Sequence, residues 1–291
     1  MENSEIQALI RLLDDPDEKI YTQIETKLVS MGEEVIPHLE SAWEHESWGI
    51  SFQDRIENII HTIQFEQVKE RLSNWGINGT HDLLKGMILV AQYQYPDLDE
   101  NRIYEQIEKI EKDIWLELNE ALTALEKVRI INHILFEVHG YSSNVKSFHS
   151  PQNSFINEVL DSKKGNPISL SILYSIIAQK HGIPLIGVNL PKHFILAYRD
   201  DFMIDLRPDG DIKVLFYVNP FSRGAVFSKR EVDDFLKQLD IEPKPEYYLP
   251  CSNVEIMQRV LNNLIYSYQK LGYSDKVEEL KELKKLLKKP H

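Results

Sequence analysis

The chain has 291 residues, of which 42% are apolar and 27% charged, so it is long enough for about two domains and its composition excludes wholesale disorder and fibrous repeats. Its 46 acidic and 33 basic side chains leave a formal charge of −13, which disfavours binding to nucleic acid or to anionic membrane surfaces. The single cysteine, Cys251, excludes an internal disulfide, and with no leader pattern and no apolar run approaching 18 residues we expect a cytoplasmic protein.

Residues 1–75 show helical spacing of apolar side chains throughout. One run begins near Ser4, the next ends at Gly32, a third contains Pro37 near its start, and a fourth continues toward Leu72. We predict antiparallel helices with no strand in this region. Their helix–turn–helix order resembles a HEAT-type repeat, which is typically a scaffold.

Residues 76–245 are predicted to form an α+β domain, and α+β is the fold class predicted for the chain. Helical spacing continues to Gly140, with Asp99 as a helix cap. From Gly182 onward, short β-branched and aromatic segments separated by Pro and Asp turns predict a small antiparallel sheet. These segments are L-I-G-V-N-L, H-F-I-L-A-Y, F-M-I-D-L and V-L-F-Y-V. A helix that is apolar on nearly all sides is predicted from about Pro167 to Lys180, buried between the sheet and the other helices.

Residues 250–291 are predicted to be a helical hairpin. A linker that contains Pro243, Pro245 and Pro250 precedes it, and Gly272 separates its two amphipathic helices. Lys288 and Lys289 are suited to a helix C-terminus.

A series of motifs in one order carries the strongest functional signal. The series is N-S-F-I-N-E-V-L from Asn153, K-K-G-N-P-I-S-L-S-I-L-Y, G-I-P, N-L-P-K-H-F, Y-V-N-P-F-S-R-G at 217–224 and R-V-L-N-N-L-I-Y-S-Y at 259–268. Together these motifs resemble the transglutaminase-like superfamily over roughly residues 80–287. In particular they resemble the bacterial SirB-type proteins, which join such a domain to a tetratricopeptide-like tail.

The resemblance implies an active-site position that has lost its nucleophile. In active members a cysteine stands two residues after a glycine at the start of a helix, where the helix dipole lowers the thiol pKa. Here Gly165 leads to Pro167 instead. The rest of the triad corresponds to His193, read as opening its strand, with Asn219 or Asp205 as the third member. Asn219 is favoured because its N-P-F turn stands where the SirB-type pattern has an acid, and we expect His193 to lie close to one of the two and to the Pro167 helix.

Other polar residues near this helix have both a functional and a structural interpretation. Ser169 and Ser171 are the only hydroxyls near its start and are rival nucleophiles for His193, although serines inside helices more often bond locally. Asn166 suits an N-cap and Pro167 the first helical position, which needs no function. The predicted binding residues are Asn153, Glu158, Asn166, Ser169, His193 and Asn219.

The leading hypothesis is a pseudoenzyme, a non-catalytic transglutaminase-like module that binds a protein or a peptide. One alternative is an amide or peptide hydrolase or acyl-transferase that uses a serine with His193. Another is a sensor whose remnant cleft binds a small anion. No phosphate loop, metal motif or basic aromatic stripe is found, so we expect no cofactor, no metal, no nucleic acid and no membrane partner. The sequence leaves the ligand, the oligomeric state and residual activity open.

Overall fold

The computed structural model describes residues 3–44, 49–200 and 213–287. The chain divides into two compact units, Met1–Arg71 and Leu72–His291. The first four helices are α1 (Asn3–Arg11), α2 (Glu18–Met31), α3 (Ile36–Trp43) and α4 (Ile50–Asn74). They are followed by α5 (Leu83–Gln94), α6 (Glu100–Glu117), α7 (Ala124–Asn132), α8 (Ile156–Ser162), α9 (Pro167–Lys180), α10 (Lys229–Gln238), α11 (Asn253–Leu271) and α12 (Ser274–Leu286).

The described part of the first unit is helical and has no strand, as predicted. Asp17 caps α2 by accepting a hydrogen bond from the Lys19 amide, and Gly32 ends that helix at φ +70°. Pro37 lies in the first turn of α3, where its missing N–H is not needed. The apolar side chains that recur at helical spacing form this unit's core. They include Leu13, Leu28, Leu39, Phe52, Ile56 and Ile59, all fully buried.

The second unit contains the predicted antiparallel sheet, so the fold class is α+β. Its strands are β3 (Leu185–Val188), β4 (Ile195–Arg199), β5 (Val214–Asn219) and β6 (Ala225–Phe227), hydrogen-bonded in that order. Two shorter strands, β1 (Ser142–Ser143) and β2 (Lys164–Gly165), pair in parallel. The predicted segment F-M-I-D-L lies outside the described residues, as do Lys288 and Lys289. Strand β6 was not predicted because it is only three residues long and follows a tight turn directly.

His193 does not open its strand, contrary to the sequence interpretation. The β3–β4 ladder begins with Val188 opposite Ile195, two residues further along the chain. Before that, Lys192 adopts φ +60° and the His193 amide donates to the Leu190 carbonyl oxygen. His193 therefore lies in the turn that leads into β4. The residue pattern that predicts a strand does not show where the strand begins. Here the start of β4 is set by the positive φ angle of Lys192, which the pattern does not contain.

Helix α9 is the buried helix that the sequence predicts, with the predicted start and end. Asn166 caps it through its side-chain oxygen, which accepts from the Ser169 amide, and the Ser169 hydroxyl accepts from the Asn166 amide in return. Every residue from Pro167 to Ala178 is buried. The Tyr174 hydroxyl bonds Asn132 on α7, and Ser175 donates to the Leu185 carbonyl oxygen on β3. Helix α9 thus joins the sheet to the surrounding helices and holds its own N-terminus in place.

Helices α11 and α12 form the predicted hairpin. Ser252 and Glu255 make a capping box at the start of α11, and Gly272 ends it in the left-handed conformation at φ +82°. Helix α11 packs against α5, α9 and α12. No helix in the described part of the chain has the length and apolarity needed to cross a membrane.

Candidate functional site

A cavity of about 590 Å³ opens at the N-terminus of α9, and we call it the His193 cleft. Three parts of the second unit converge there: the loop before α8, the turn before β4, and one face of α11. Its lining residues are Phe148, His149, Asn166, Pro167, Ile168, Lys192, His193, Phe194, Arg259, Asn263, Tyr266 and Ser267.

Pro167 occupies the first position of α9 and lines the cleft. It carries neither a nucleophilic atom nor an N–H group. The next amide in the turn is that of Ile168, and the one after it, on Ser169, is already bonded by the Asn166 cap. The helix N-terminus therefore offers the cleft the Ile168 amide and the positive end of the helix dipole, but no attacking group.

Asn219, at the end of β5, contacts the His193 imidazole through its side-chain amide. Its Nδ2 lies 3.0 Å from His193 Nε2, and its Oδ1 accepts the Phe221 amide at 3.1 Å. Since a backbone N–H can only donate, the Phe221 contact fixes the amide orientation, and Nδ2 must be the donor to the imidazole. His193 Nε2 is consequently an acceptor, and the ring proton of the neutral histidine lies on Nδ1.

The turn after Asn219 depends on a glycine. Gly224 donates its amide to the Asn219 carbonyl oxygen at 2.9 Å and has φ +73°. A Cβ at this position would lie 1.8 Å from Asn132 Oδ1. That side chain is itself fixed, because its Nδ2 donates to the Gly224 carbonyl and its Oδ1 accepts from Tyr174. Only glycine fits here, and it sets the geometry that presents Asn219 to His193.

His193 is held in its neutral form. Burial lowers the pKa of His193 below its ordinary value of 6.5, and the positive charge of Arg259 lowers it further. The Phe221 and Phe235 rings flank the imidazole, at centroid distances of 6.4 and 6.1 Å. An apolar setting, a cationic neighbour and a donor at Nε2 all act against the imidazolium ion.

Helix α11 contributes four residues to the cleft that were not predicted from the sequence. Arg259, Asn263, Tyr266 and Ser267 follow one another at steps of four, three and one, which places them on one helical face. They all belong to the motif R-V-L-N-N-L-I-Y-S-Y, which was read only as a helical tail. The sequence did contain a signal for these residues, because they form a polar stripe on a helix whose other side is apolar.

The structure does not bring the two rival serines to the cleft. Ser169 and Ser171 are both fully buried and neither lines the cavity. The Ser169 hydroxyl also donates to the Asn166 carbonyl oxygen at 3.3 Å, so the capping box uses both of its hydrogen-bonding functions. Ser171 donates to the Phe194 carbonyl oxygen at 3.4 Å.

Two other predicted binding residues also lie away from the cleft. The Asn153 side chain is buried, accepts from Asn144 and donates to the Ser147 and Phe148 carbonyl oxygens, so it shapes the loop that forms one wall. Glu158 lies beside Tyr95. Burial is the main cause of the raised pKa of Tyr95, and Glu158 is the second cause. Of the predicted binding residues, Asn166 and His193 line the cleft directly and Asn219 contacts it through His193.

Cys251 is not positioned as a replacement nucleophile. Its thiol donates to the Gly187 carbonyl oxygen at 3.2 Å, and burial raises its pKa to about 12. It does not line the His193 cleft. Asp205, the other candidate third member, lies outside the described residues. In the parts of the chain that the structure describes, no group of three His, Cys, Asp or Glu side chains is placed to hold a metal ion.

Comparisons with known proteins show the family of this chain. The family described as the transglutaminase-like superfamily matches residues 101–262, more than half of the chain. This range includes Pro167, His193 and Arg259 and ends before Asn263, Tyr266 and Ser267. A UPF0162 protein of Xylella fastidiosa (strain 9a5c) is 29% identical over 191 residues, which are 64% of this chain and 64% of that protein.

More distant relatives include both bacterial and mammalian proteins. UPF0162 protein YchA of Escherichia coli (strain K12) is 23% identical over 186 residues, 62% of this chain and 65% of that protein. F-box only protein 21 of Homo sapiens is 25% identical over 155 residues, 52% of this chain and 23% of that protein. The chain thus covers less than two thirds of the length of each of these relatives. No solved structure matches the chain.

Proposed function

Because the chain belongs to the transglutaminase-like superfamily, we propose that it is a non-catalytic binding module that holds a peptide segment of a partner protein in the His193 cleft. The observation that carries the proposal is the position of Pro167, at the helix start where the resemblance expects a nucleophilic cysteine. In the same proposal α1–α4 form a HEAT-like scaffold, and α11–α12 form a tetratricopeptide-like hairpin in the SirB-type manner.

The hydrogen bonding of His193 supports binding without turnover. A catalytic histidine takes a proton from the nucleophile, and its partner stabilises the resulting imidazolium by accepting a hydrogen bond. Here the Asn219 amide donates to Nε2, so it stabilises the neutral ring only. In the proposed binding module, His193 acts as a fixed donor to the ligand through Nδ1.

The hydrolase alternative has one remaining candidate among the described residues. Ser267 is the only serine that lines the cleft, and it lies in the interior of α11. Among the described residues its hydroxyl has no hydrogen bond to His193, the base that this alternative requires. Ser169 and Ser171 are bonded and buried, so they do not favour this alternative.

The test of binding is a matched pair of tryptophan variants on α11. Peptides selected from a random displayed library on the wild-type protein are titrated against Asn263→Trp, which fills the cleft, and Asn262→Trp, whose side chain is exposed outside it. We expect at least a tenfold loss of affinity for Asn263→Trp and less than a twofold change for Asn262→Trp. Circular dichroism and thermal unfolding check that both variants are folded. Selected peptides that bind Asn263→Trp as tightly as the wild type would contradict the proposal.

The test of turnover uses the same peptides. We expect mass spectrometry to recover each peptide intact after incubation, and serine- and cysteine-directed probes to leave the folded protein unlabelled. Peptide cleavage or acyl transfer that disappears in His193→Ala, with covalent labelling at Ser267, would establish the hydrolase in place of the binding module.

A further inference from the structure

The His193 cleft continues into a second, larger cavity on the same side of the unit. This cavity has a volume of about 870 Å³, and we call it the Lys270 groove. The two cavities share Phe148, His149 and Ser267 as wall residues. The groove lies between the loop 145–152 and the hairpin of α11 and α12, so the cleft is one end of a longer depression.

The charge of this depression is opposite to that of the chain. Acidic side chains number 46 in the sequence, yet none of the described residues that line either cavity is acidic. The cationic residues that line the two are Lys146, Lys192, Arg259, Lys270 and Lys276. A neighbouring cavity at the start of α6, by contrast, is lined by three acids, Asp97, Asp99 and Asp161, and by one cation, Arg102. A protein of net charge −13 thus has a basic concave surface here, which attracts anions locally.

Three side chains at the cleft end of the depression have donor groups that the described part of the chain does not use fully. Arg259 is half-buried, donates to Asn189 Oδ1 at 3.0 Å and forms no ion pair with the described residues. Ser267 is 94% buried, and its hydroxyl makes no hydrogen bond to any described residue. His193 Nδ1 carries the ring proton and is likewise without a partner in the described part of the chain. These donors belong to side chains that line the cavity and are not enclosed in the protein interior, so a ligand that fills the cleft and supplies acceptors would satisfy all three.

The groove end favours a chain rather than a free small anion. Tyr266 lines the cleft next to the groove and is 48% exposed. Its ring lies 5.3 Å from that of His149, and Lys270 Nζ lies 4.8 Å from its centroid. Phe148, Leu271 and Tyr273 are also exposed along the groove walls. A small carboxylate bound beside Arg259 would leave these apolar surfaces in water. An extended peptide with alternating acidic and apolar side chains would cover them and also face the lysines.

We propose that the natural ligand is an extended acidic peptide segment, with one carboxylate bound at Arg259, His193 and Ser267 and further carboxylates facing Lys146 and Lys270 along the groove. This inference rests on the proposed binding function and adds the chemical class of the ligand. The two cavities act as one binding surface, in which the cleft recognises a single carboxylate and the groove recognises the chain that carries it.

The experiment uses two synthetic peptides and two charge-reversed variants of the full chain. A fluorescein-labelled octapeptide that alternates glutamate with leucine is titrated by fluorescence anisotropy, beside its glutamine counterpart. The groove variant is Lys146→Glu with Lys270→Glu, both exposed side chains. The matched control is Lys109→Glu with Lys112→Glu, which makes the same charge change on exposed positions of α6 outside both cavities.

We expect the glutamate peptide to bind at least tenfold more tightly than the glutamine peptide, and its affinity to fall as salt rises from 50 to 300 mM, because screening weakens exposed charge pairs. The groove variant should lose at least tenfold in affinity and the α6 variant less than twofold. Arg259→Gln and Ser267→Ala should each weaken binding of the glutamate peptide. Both change side chains that are at least half-buried on α11, whereas the groove variant changes only exposed side chains and leaves the packing of α11 intact.

Three results would overturn the inference. Equal affinity for the two peptides would remove the charge preference, and equal loss in the groove and α6 variants would reduce the effect to net charge. Binding of glutarate as tight as that of the glutamate peptide would replace the peptide by a small dicarboxylate. If library peptides still lose affinity in Asn263→Trp in any of these cases, the binding function stands and only the ligand class fails.

Discussion

At the scale of single residues, the direction of one hydrogen bond decides the chemistry of the cleft. The Asn219 side chain is anchored by the Phe221 amide and therefore presents its NH₂ group to His193. A carboxylate at the same position would accept a hydrogen bond from the ring N–H and stabilise the charged form of the ring. The amide does the opposite, and with burial and Arg259 it keeps His193 neutral and its pKa lowered.

The depressed pKa of His193 predicts how stability depends on pH. The unfolded chain takes up a proton near pH 6.5, whereas the folded chain does so only at lower pH, so the folded state loses stability as pH falls through 6.5. His193→Gln removes this titration. We expect the wild type to lose stability relative to His193→Gln between about pH 7 and pH 5, and the difference between the two to be constant above that range.

Urea unfolding of both proteins at pH 5–8 measures this difference. The pKa of His181 is also lowered by burial, but that residue is present in both proteins and its contribution cancels. A wild type that gains stability relative to the variant at low pH would show that His193 has an anionic partner in the folded protein.

At the scale of elements, the N-terminus of α9 explains why its serines are structural. Asn166 and Ser169 exchange hydrogen bonds between side chain and backbone, and Asn166 Nδ2 also donates to the Ser154 hydroxyl. A capping box satisfies two backbone donors that the helix cannot satisfy itself. Asn166 and Ser169, which flank Pro167 in the sequence, thus fix the start of the helix. The Ser169 hydroxyl both accepts and donates a hydrogen bond within the cap.

Ser169→Ala tests whether that serine caps the helix or acts in chemistry. The substitution leaves the buried Asn166 amide without an acceptor, and we expect the free energy of unfolding to fall by about 1–3 kcal/mol. Ser171→Ala, which loses only a 3.4 Å contact to the Phe194 carbonyl, is the control and should cost less. Binding of the selected peptides should be unchanged in both variants at a temperature where they are folded. A loss of activity or binding in Ser169→Ala without loss of stability would instead assign it a direct role.

At the scale of the whole molecule, the single cysteine of the chain is half-buried where the segment before α11 contacts the sheet. Cys251 bonds the backbone of β3 at Gly187 through both its amide and its thiol. Its raised pKa follows first from burial and then from the nearby charge of Glu255. The thiol therefore reports on the integrity of the packing between the 243–250 segment and the sheet.

Thiol labelling provides the prediction at this scale. A pKa raised from 9.0 to about 12 lowers the thiolate fraction at pH 8 by about a thousandfold, so we expect iodoacetamide to label the native protein at least 100-fold more slowly than the protein in 8 M urea. Labelling at a series of urea concentrations should follow the unfolding curve seen by circular dichroism. Rapid labelling of the native chain would mean that this part of the unit opens independently, and Cys251→Ser is the control for labelling at other residues.

Much of the fold was predictable because its causes are local in sequence. An N-cap acts across three residues, a glycine C-cap across one turn, and helical spacing across a dozen positions, so α9, the α11–α12 hairpin and the helical first unit all follow from short windows. The sequence alone also determines that no thiol stands at Pro167 and that the chain is acidic. The prediction that His193 opens its strand was wrong, because the φ angle of Lys192 places His193 in the turn before β4.

The site itself was decided by contacts between distant parts of the chain. Asn219 reaches His193 across 26 residues, and Arg259 enters the cleft from a helix that the sequence presents only as a tail. The charge that faces a ligand was likewise decided by packing. Cationic side chains from the loop 145–152, the turn before β4 and the α11–α12 hairpin line one depression, and no acidic side chain of the described residues lines it. Net charge is a sum over residues and is read from the sequence, whereas the local field depends on which residues the fold places side by side, and only the tertiary structure determines that.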